Sequence, residues 1–287
     1  IHNPDNHFRF LTILLDSKLP LVHTSRLVDE YADYNDVYSD FLLDNDGNFV
    51  FSKAVKSSNR SSISSLFLVT KGPMQDSFSS KKINLDKFFI DEIKIKIDNV
   101  NKRYLLNSFY YVERRGNIDG LFCSIWDING NSYANVFTKL DDSIRDIAKL
   151  KGNTKFALND YFIKNIVLKK DGSYLIAAKD YSSQTSNNTG WNRWDYLYGS
   201  PFLRPYDYYY YSPSYGGYYR PYNSFNNSQS TRYYYDNIML LYISKTGYVE
   251  SGKIINKEQY ADDNDNYLSF STFIAESEIH FLFNIIE

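Results

Sequence analysis

The sequence predicts an all-β fold, a β-propeller of four-stranded antiparallel blades, and three observations carry that expectation. Aromatic residues make up 18 % of the 287 residues, with Tyr 28 and Phe 20 against Gly 13 and Met 2, a composition suited to strands. Short apolar runs are separated by turn dipeptides along most of the chain. The runs also repeat: Phe41-Leu42-Leu43-Asp44-Asn45-Asp46-Gly47-Asn48-Phe49-Val50-Phe51 matches Ile166-Val167-Leu168-Lys169-Lys170-Asp171-Gly172-Ser173-Tyr174-Leu175-Ile176 in the order apolar run, polar pair, Asp-Gly, polar residue, aromatic, apolar run.

In chain order, the first hairpin runs from Phe10 to Leu15 and turns at Asp16-Ser17-Lys18. An inner hairpin follows, turning at Asp46-Gly47. Leu66 to Val69 turns at Lys71-Gly72-Pro73, and Ile93 to Ile97 returns through residues 98–103 into Tyr104-Leu105-Leu106. Leu121 to Trp126 turns at Asn129-Gly130, the Ile166 run at Asp171-Gly172, and Ile238 to Ile243 at Lys245-Thr246-Gly247. The last pair is Phe270 to Ala275 with Ile279 to Phe283. Two kinds of hairpin alternate, and the outer kind turns near residues 17, 72, 129 and 246, with one insertion widening the last interval. The chain opens on an outer hairpin and closes on an inner one. Residues 1–287 therefore read as a single propeller domain, a partial ring of about four blades within a larger one.

Two segments break the strand pattern. Asp142 to Leu150 has acids at its start, Lys149 near its end, Gly152 beyond it and apolar residues at 144, 147 and 148, which predicts one short amphipathic helix. Ser182 to Asp236 is an insertion between the hairpins of the third full blade. It holds 14 of the 28 tyrosines, 4 of the 7 prolines and two of the three tryptophans, with no Lys or Glu. An insertion of that length between adjacent strands points to function or disorder.

Composition excludes several classes. Lys plus Arg is 32 and Asp plus Glu 34, so no basic excess exists for a nucleic-acid partner. The longest apolar runs fall far short of the ~18 residues of a membrane helix, so no membrane-spanning segment is expected. A lone cysteine, Cys123, sits in an apolar strand pattern and reads as a buried thiol. His2, His7, His23 and His280 show no metal-ligand spacing, and no GxSxG, Walker or GxGxxG motif occurs, so no catalytic residue, metal or cofactor is predicted. Arg114-Arg115-Gly116 reads as a solvated turn.

Three constellations are candidates for function. Acids precede the inner strands, among them Asp36, Asp40, Asp91 with Glu92, Asp160 and Asp265 with Asp262 and Asp263. In a propeller those entries surround one mouth of the channel, where carboxylates serve metal binding or glycoside hydrolysis. The competing reading is that Asp punctuates turns through local hydrogen bonds. Asp44-Asn45-Asp46-Gly47-Asn48 resembles the front of a calcium loop but lacks the closing acid, which favours a plain turn. The Tyr-rich insertion offers Trp191, Trp194, Tyr206, Tyr208, Tyr209, Tyr210, Tyr211, Tyr215, Tyr218, Tyr219, Tyr222 and Arg220 as a contact surface, because tyrosine joins a broad apolar face to a polar tip with few torsions to freeze.

The blocks Asn35-Asp36-Val37-Tyr38-Ser39-Asp40-Phe41, Asp91-Glu92-Ile93-Lys94-Ile95-Lys96-Ile97-Asp98-Asn99, Asn101-Lys102-Arg103-Tyr104, Arg114 to Gly120, Asn159-Asp160-Tyr161-Phe162-Ile163 and Trp191 to Tyr198 together resemble a family of uncharacterised, exported β-propeller-like proteins of Gram-negative bacterial cell envelopes. The resemblance implies a periplasmic or outer-membrane-associated location and another envelope protein as partner. By analogy of fold it links the chain to outer-membrane machinery of the type 9 secretion and gliding kind. It implies no catalytic residues. The expected role is a non-enzymatic binding or scaffold subunit, with a carbohydrate-binding or glycoside-hydrolysing propeller as the alternative.

Overall fold

A computed structural model describes residues 8–15, 18, 21–30, 36–57, 62–114, 116–142, 144, 158, 160–185, 191, 193–198, 231–276 and 278–285. Strands β1 (Phe8–Leu15) and β2 (Leu21–Glu30) form a first hairpin. Strands β3 (Asp36–Leu43), β4 (Phe49–Lys56), β5 (Ile63–Lys71) and β6 (Ser79–Ile83) then pair in chain order as a four-stranded meander. A second meander follows from β8 (Lys94–Asp98), β9 (Arg103–Tyr111), β10 (Gly120–Asp127) and β11 (Ser132–Lys139), with the two-residue β7 (Phe89–Ile90) also on β9.

The third meander is interrupted. After β12 (Tyr161–Leu168) and β13 (Tyr174–Asp180) the chain leaves as β14 (Ser182–Thr185), passes through helix α1 (Arg193–Tyr198) and returns as β15 (Thr231–Tyr234). It completes the sheet with β16 (Ile238–Ile243) and β17 (Val249–Ile255). β15 pairs with both β14 and β18 (Tyr260–Asp262), and β19 (Ser271–Ala275) with β20 (Glu278–Leu282) forms the last hairpin.

The fold is thus all-β. Among the described residues it consists of six separate antiparallel sheets, with no closed barrel and no closed ring. Of the segment predicted as helix, Asp142 and Ile144 are described and helical, and the remainder lies outside the described residues. No helix among the described residues is long and apolar enough to cross a membrane.

Four hairpin tips share one geometry. At Asp44–Asn48, Asp127–Asn131, Lys169–Ser173 and Ser244–Tyr248 the first residue bonds the fifth, and the glycine N–H returns to the first carbonyl at 3.0 to 3.1 Å. The glycines Gly47, Gly130, Gly172 and Gly247 have φ between 81° and 93°, the left-handed region that a side chain resists. This is a tight turn closed by a glycine bulge.

The meanders stack face to face in chain order. One core joins the first meander to the second through Val50, Leu66, Leu68, Tyr104, Leu106 and Phe122, and another joins the second to the third through Leu105, Phe109, Leu121, Ile125, Tyr174, Ile176 and Leu241. The middle sheet is therefore covered on both faces, and all nine residues of β9 are buried. The end hairpins flank the stack. Phe10 of β1 packs on Phe51 of the first meander, with ring centroids 5.5 Å apart, and Phe281 of β20 packs with Phe270 beside Ala177 and Ile238 of the third.

Polar ties lock the tips of the three meanders together. Tyr104 donates its hydroxyl to Asp44 at 2.8 Å, and Lys102 meets Asp46 at 2.6 Å. Arg103 is buried, pairs with Asp98 at 2.9 Å, and donates to the carbonyls of Lys245 and Gly172 in two tips of the third meander. A guanidinium with fixed donor directions suits such a three-way tie.

Candidate functional site

The first strands of the three meanders, β3, β8 and β12, together with β19, border one cavity of about 820 Å³. Two irregularities shape its wall. The pairing of β3 with β4 slips between Ser39 and Leu42, and that of β12 with β13 slips between Ile163 and Asn165. Such bulges re-aim side chains. Here they bring Asp40, whose φ is 56°, and Lys164 to the cavity lining. Lys94 and Lys96 reach the same wall from β8, where the alternation Ile93-Lys94-Ile95-Lys96-Ile97 puts both lysines on one face of the strand.

Acids also staple the first strands of successive meanders. Asp40 accepts the Ile95 N–H of β8 at 2.8 Å, and Glu92 accepts the Ile163 N–H of β12 at 3.0 Å. Burial raises the pKa of both carboxyls, opposed by Lys94 and by the backbone donor. Lys164 closes the series by donating to Ser269 Oγ at 2.9 Å and to the Phe270 carbonyl, with its ammonium 4.6 Å from the Phe270 ring centroid. Burial, with Lys179 nearby, lowers the Lys164 pKa to about 8.

The expected rim of acids is not assembled. Of the eight acids named for it, Asp40 lines the cavity and the other seven do not. Asp36 pairs with Lys53 at 3.2 Å, Asp160 accepts the Trp191 indole N–H at 2.6 Å, and Asp265 accepts the Tyr235 hydroxyl at 2.9 Å. Asp91 is buried in an ion pair with Arg193 at 2.5 Å and also accepts the Tyr111 hydroxyl at 2.6 Å. Glycoside hydrolysis needs two carboxylates facing one bond, and among the described lining residues Asp40 is the one acid. No group of three or more metal-ligating side chains occurs among the described residues. The calcium-like loop is a turn: Asp44 accepts from the backbone of Asp46 and Asn48, the Asn48 amide and Tyr104, which occupies its oxygens.

The second candidate divides at its base. Tyr206, Tyr208, Tyr209, Tyr210, Tyr211, Tyr215, Tyr218, Tyr219, Tyr222 and Arg220 lie outside the described residues. Trp191 and Trp194, expected as contact residues, are half-buried and pack against the body of the protein. Trp191 crosses Tyr181 edge-on at 5.1 Å, and Trp194 lies 5.8 Å from Tyr111. Between them Arg193 anchors α1: it pairs with Asp91, donates to the Tyr161 carbonyl at 2.6 Å and lies 3.8 Å over the Phe162 ring. The insertion leaves at Thr185 and returns at Thr231, and these two residues face each other in the β14–β15 pair.

Cys123 is buried, and burial pushes its thiol up to about 12, as its apolar pattern leads one to expect. Sequence reasoning missed Lys94, Lys96, Lys164 and Arg193. The Ile-Lys-Ile-Lys-Ile alternation was the available signal for the first two. Comparison with known proteins finds no matching family and no matching curated protein.

Proposed function

We propose that the chain is a β-propeller-type, non-enzymatic binding or scaffold subunit of the bacterial cell envelope, associated with an outer-membrane export or gliding complex, whose Tyr-rich insertion is its contact surface. The observation that carries the contact surface is the stem: β14 and β15 pair in register from Ser182↔Tyr234 to Thr185↔Thr231, and α1 is pinned by a buried ion pair. The paired strands and the anchored helix fix where the insertion joins the body of the protein. Support for the propeller comes from three four-stranded meanders stacked in chain order, with their first strands bordering one cavity. The resemblance of the quoted sequence blocks supports the envelope setting.

The test replaces residues 206–222 by a short Gly-Ser link. Stability should change little, since loop-closure entropy varies slowly with length. Affinity capture from native envelopes with the intact chain should retain a stoichiometric membrane-complex protein, and the deletion should lose it, because aromatic anchors dominate interface energy. Retention by the deletion variant overturns the assignment of the contact surface.

A further inference from the structure

The cavity bordered by β3, β8, β12 and β19 is unevenly charged. Its lining carries one acid, Asp40, and three lysines, Lys94, Lys96 and Lys164. Two acids already serve Lys94, since Asp40 feels its charge and Glu92 lies 3.9 Å away. Lys164 meets neutral oxygens, the Ser269 hydroxyl and the Phe270 carbonyl, and its nearest charged influence is the like charge of Lys179. Lys96 is exposed to the cavity space. Beside these ammonium groups the wall carries Ile166, which is half-buried, and Ile274, which is exposed. Lys96 and Lys164 are both exposed in this open groove, so their pull on an anion is greatest at low ionic strength. A volume of about 820 Å³ suits a small organic molecule.

We propose that this cavity binds a small organic oxyanion, a carboxylate or phosphate ester, with Lys96 and Lys164 holding the anionic group and the isoleucine wall taking its body. This site is separate from the Tyr-rich contact surface and stands or falls independently of it. The phosphate and carboxylate sources share one recognition chemistry, an oxyanion held by ammonium donors.

Calorimetric titration of the full chain in low salt tests it, with glucose 6-phosphate, galacturonate, inorganic phosphate and uncharged glucose as probes. At least one of the two sugar anions should bind about tenfold or more tightly than glucose, and the tighter of them identifies the source as phosphate or carboxylate. Lys96→Met and Lys164→Met should each weaken that binding about fivefold or more, while Lys253→Met, an exposed lysine of β17 outside the cavity, should leave it unchanged. Lys164 ties β12 to Ser269 and Phe270, and the Lys96 variant keeps the test open if the loss of that tie stops Lys164→Met from folding. Binding should also weaken from pH 7 to pH 9, because Lys164 loses its proton near pH 8. Absence of binding by both sugar anions at about 10 mM, equal affinity for glucose, or undiminished affinity in Lys96→Met overturns the proposal. Inorganic phosphate binding as tightly as glucose 6-phosphate would overturn the role of the isoleucine wall.

Discussion

Asp180 ends β13 with its carboxyl near those of Asp160 and Asp236, and burial together with these two like charges pushes its pKa up to about 8, while Lys257 acts in the opposite sense. Asp236 has an oxygen that is buried without a hydrogen-bond partner among the described residues, and burial raises its pKa as well. A carboxyl with a folded pKa above its unfolded value near 3.9 retains a proton that the unfolded chain has released, so its stabilising effect is complete below about pH 4 and is lost as the pH rises through 8. Lys164 and Lys257 have the opposite linkage, because burial lowers both to about 8 from 10.5. The unfolded chain holds their protons between about pH 8 and 10.5, so stability rises with pH across that window. The urea midpoint should therefore fall from pH 5 to pH 8 and partly recover by pH 10. Asp180→Asn, which is neutral throughout, should flatten the first limb. A midpoint that climbs from pH 5 to pH 7 would contradict the buried, protonated carboxyl.

At the scale of elements, α1 is six residues long, too short to hold itself, and is fixed by Arg193 buried against Asp91. Removing one partner of a buried pair leaves an uncompensated charge, at a cost of about 3 to 5 kcal/mol. Asp91→Asn and Arg193→Met should each lower stability by an amount in that range. The double variant should be less destabilised than the sum of the singles, by about 1 kcal/mol or more of coupling in urea unfolding. Additive losses would show that the two residues act separately. The hairpins that turn at Gly47, Gly130, Gly172 and Gly247 were legible in the sequence because each is local: an apolar run, a glycine turn and a second run suffice to define it. The anchor was not, since Arg193 and Asp91 are 102 positions apart and nothing near either one marks the other. For the same reason Asp91 read as a rim acid. It does precede β8, the first strand of the second meander, and its side chain pairs with Arg193 of α1. The two tryptophans stood out in the sequence, but their pairing with Asp160, Tyr181 and Tyr111, all outside the insertion, did not.

Across the whole molecule, the stacking order should set a gradient of local stability. The middle sheet is covered on both faces and shares a core with each neighbour, whereas the end hairpins each have one flank against the stack and leave large apolar side chains open. Leu11 and Ile13 of β1 are 50 % and 53 % exposed, and Ile274 of β19 and Leu282 of β20 are 60 % and 58 % exposed. Opening a region costs free energy in proportion to the apolar surface that it uncovers to water. Amide exchange should accordingly be slowest in β9 and β10, intermediate in β4, β13 and β16, and fastest in β1, β2, β19 and β20. The same measurement bears on ring closure. An outer hairpin at one end and an inner hairpin at the other would together supply the four strands of one blade, and their pairing would shield both. Protection in β1 and β20 approaching that of β9 would therefore mean that these hairpins have joined into a closing blade, and fast exchange in both means that each keeps an open edge.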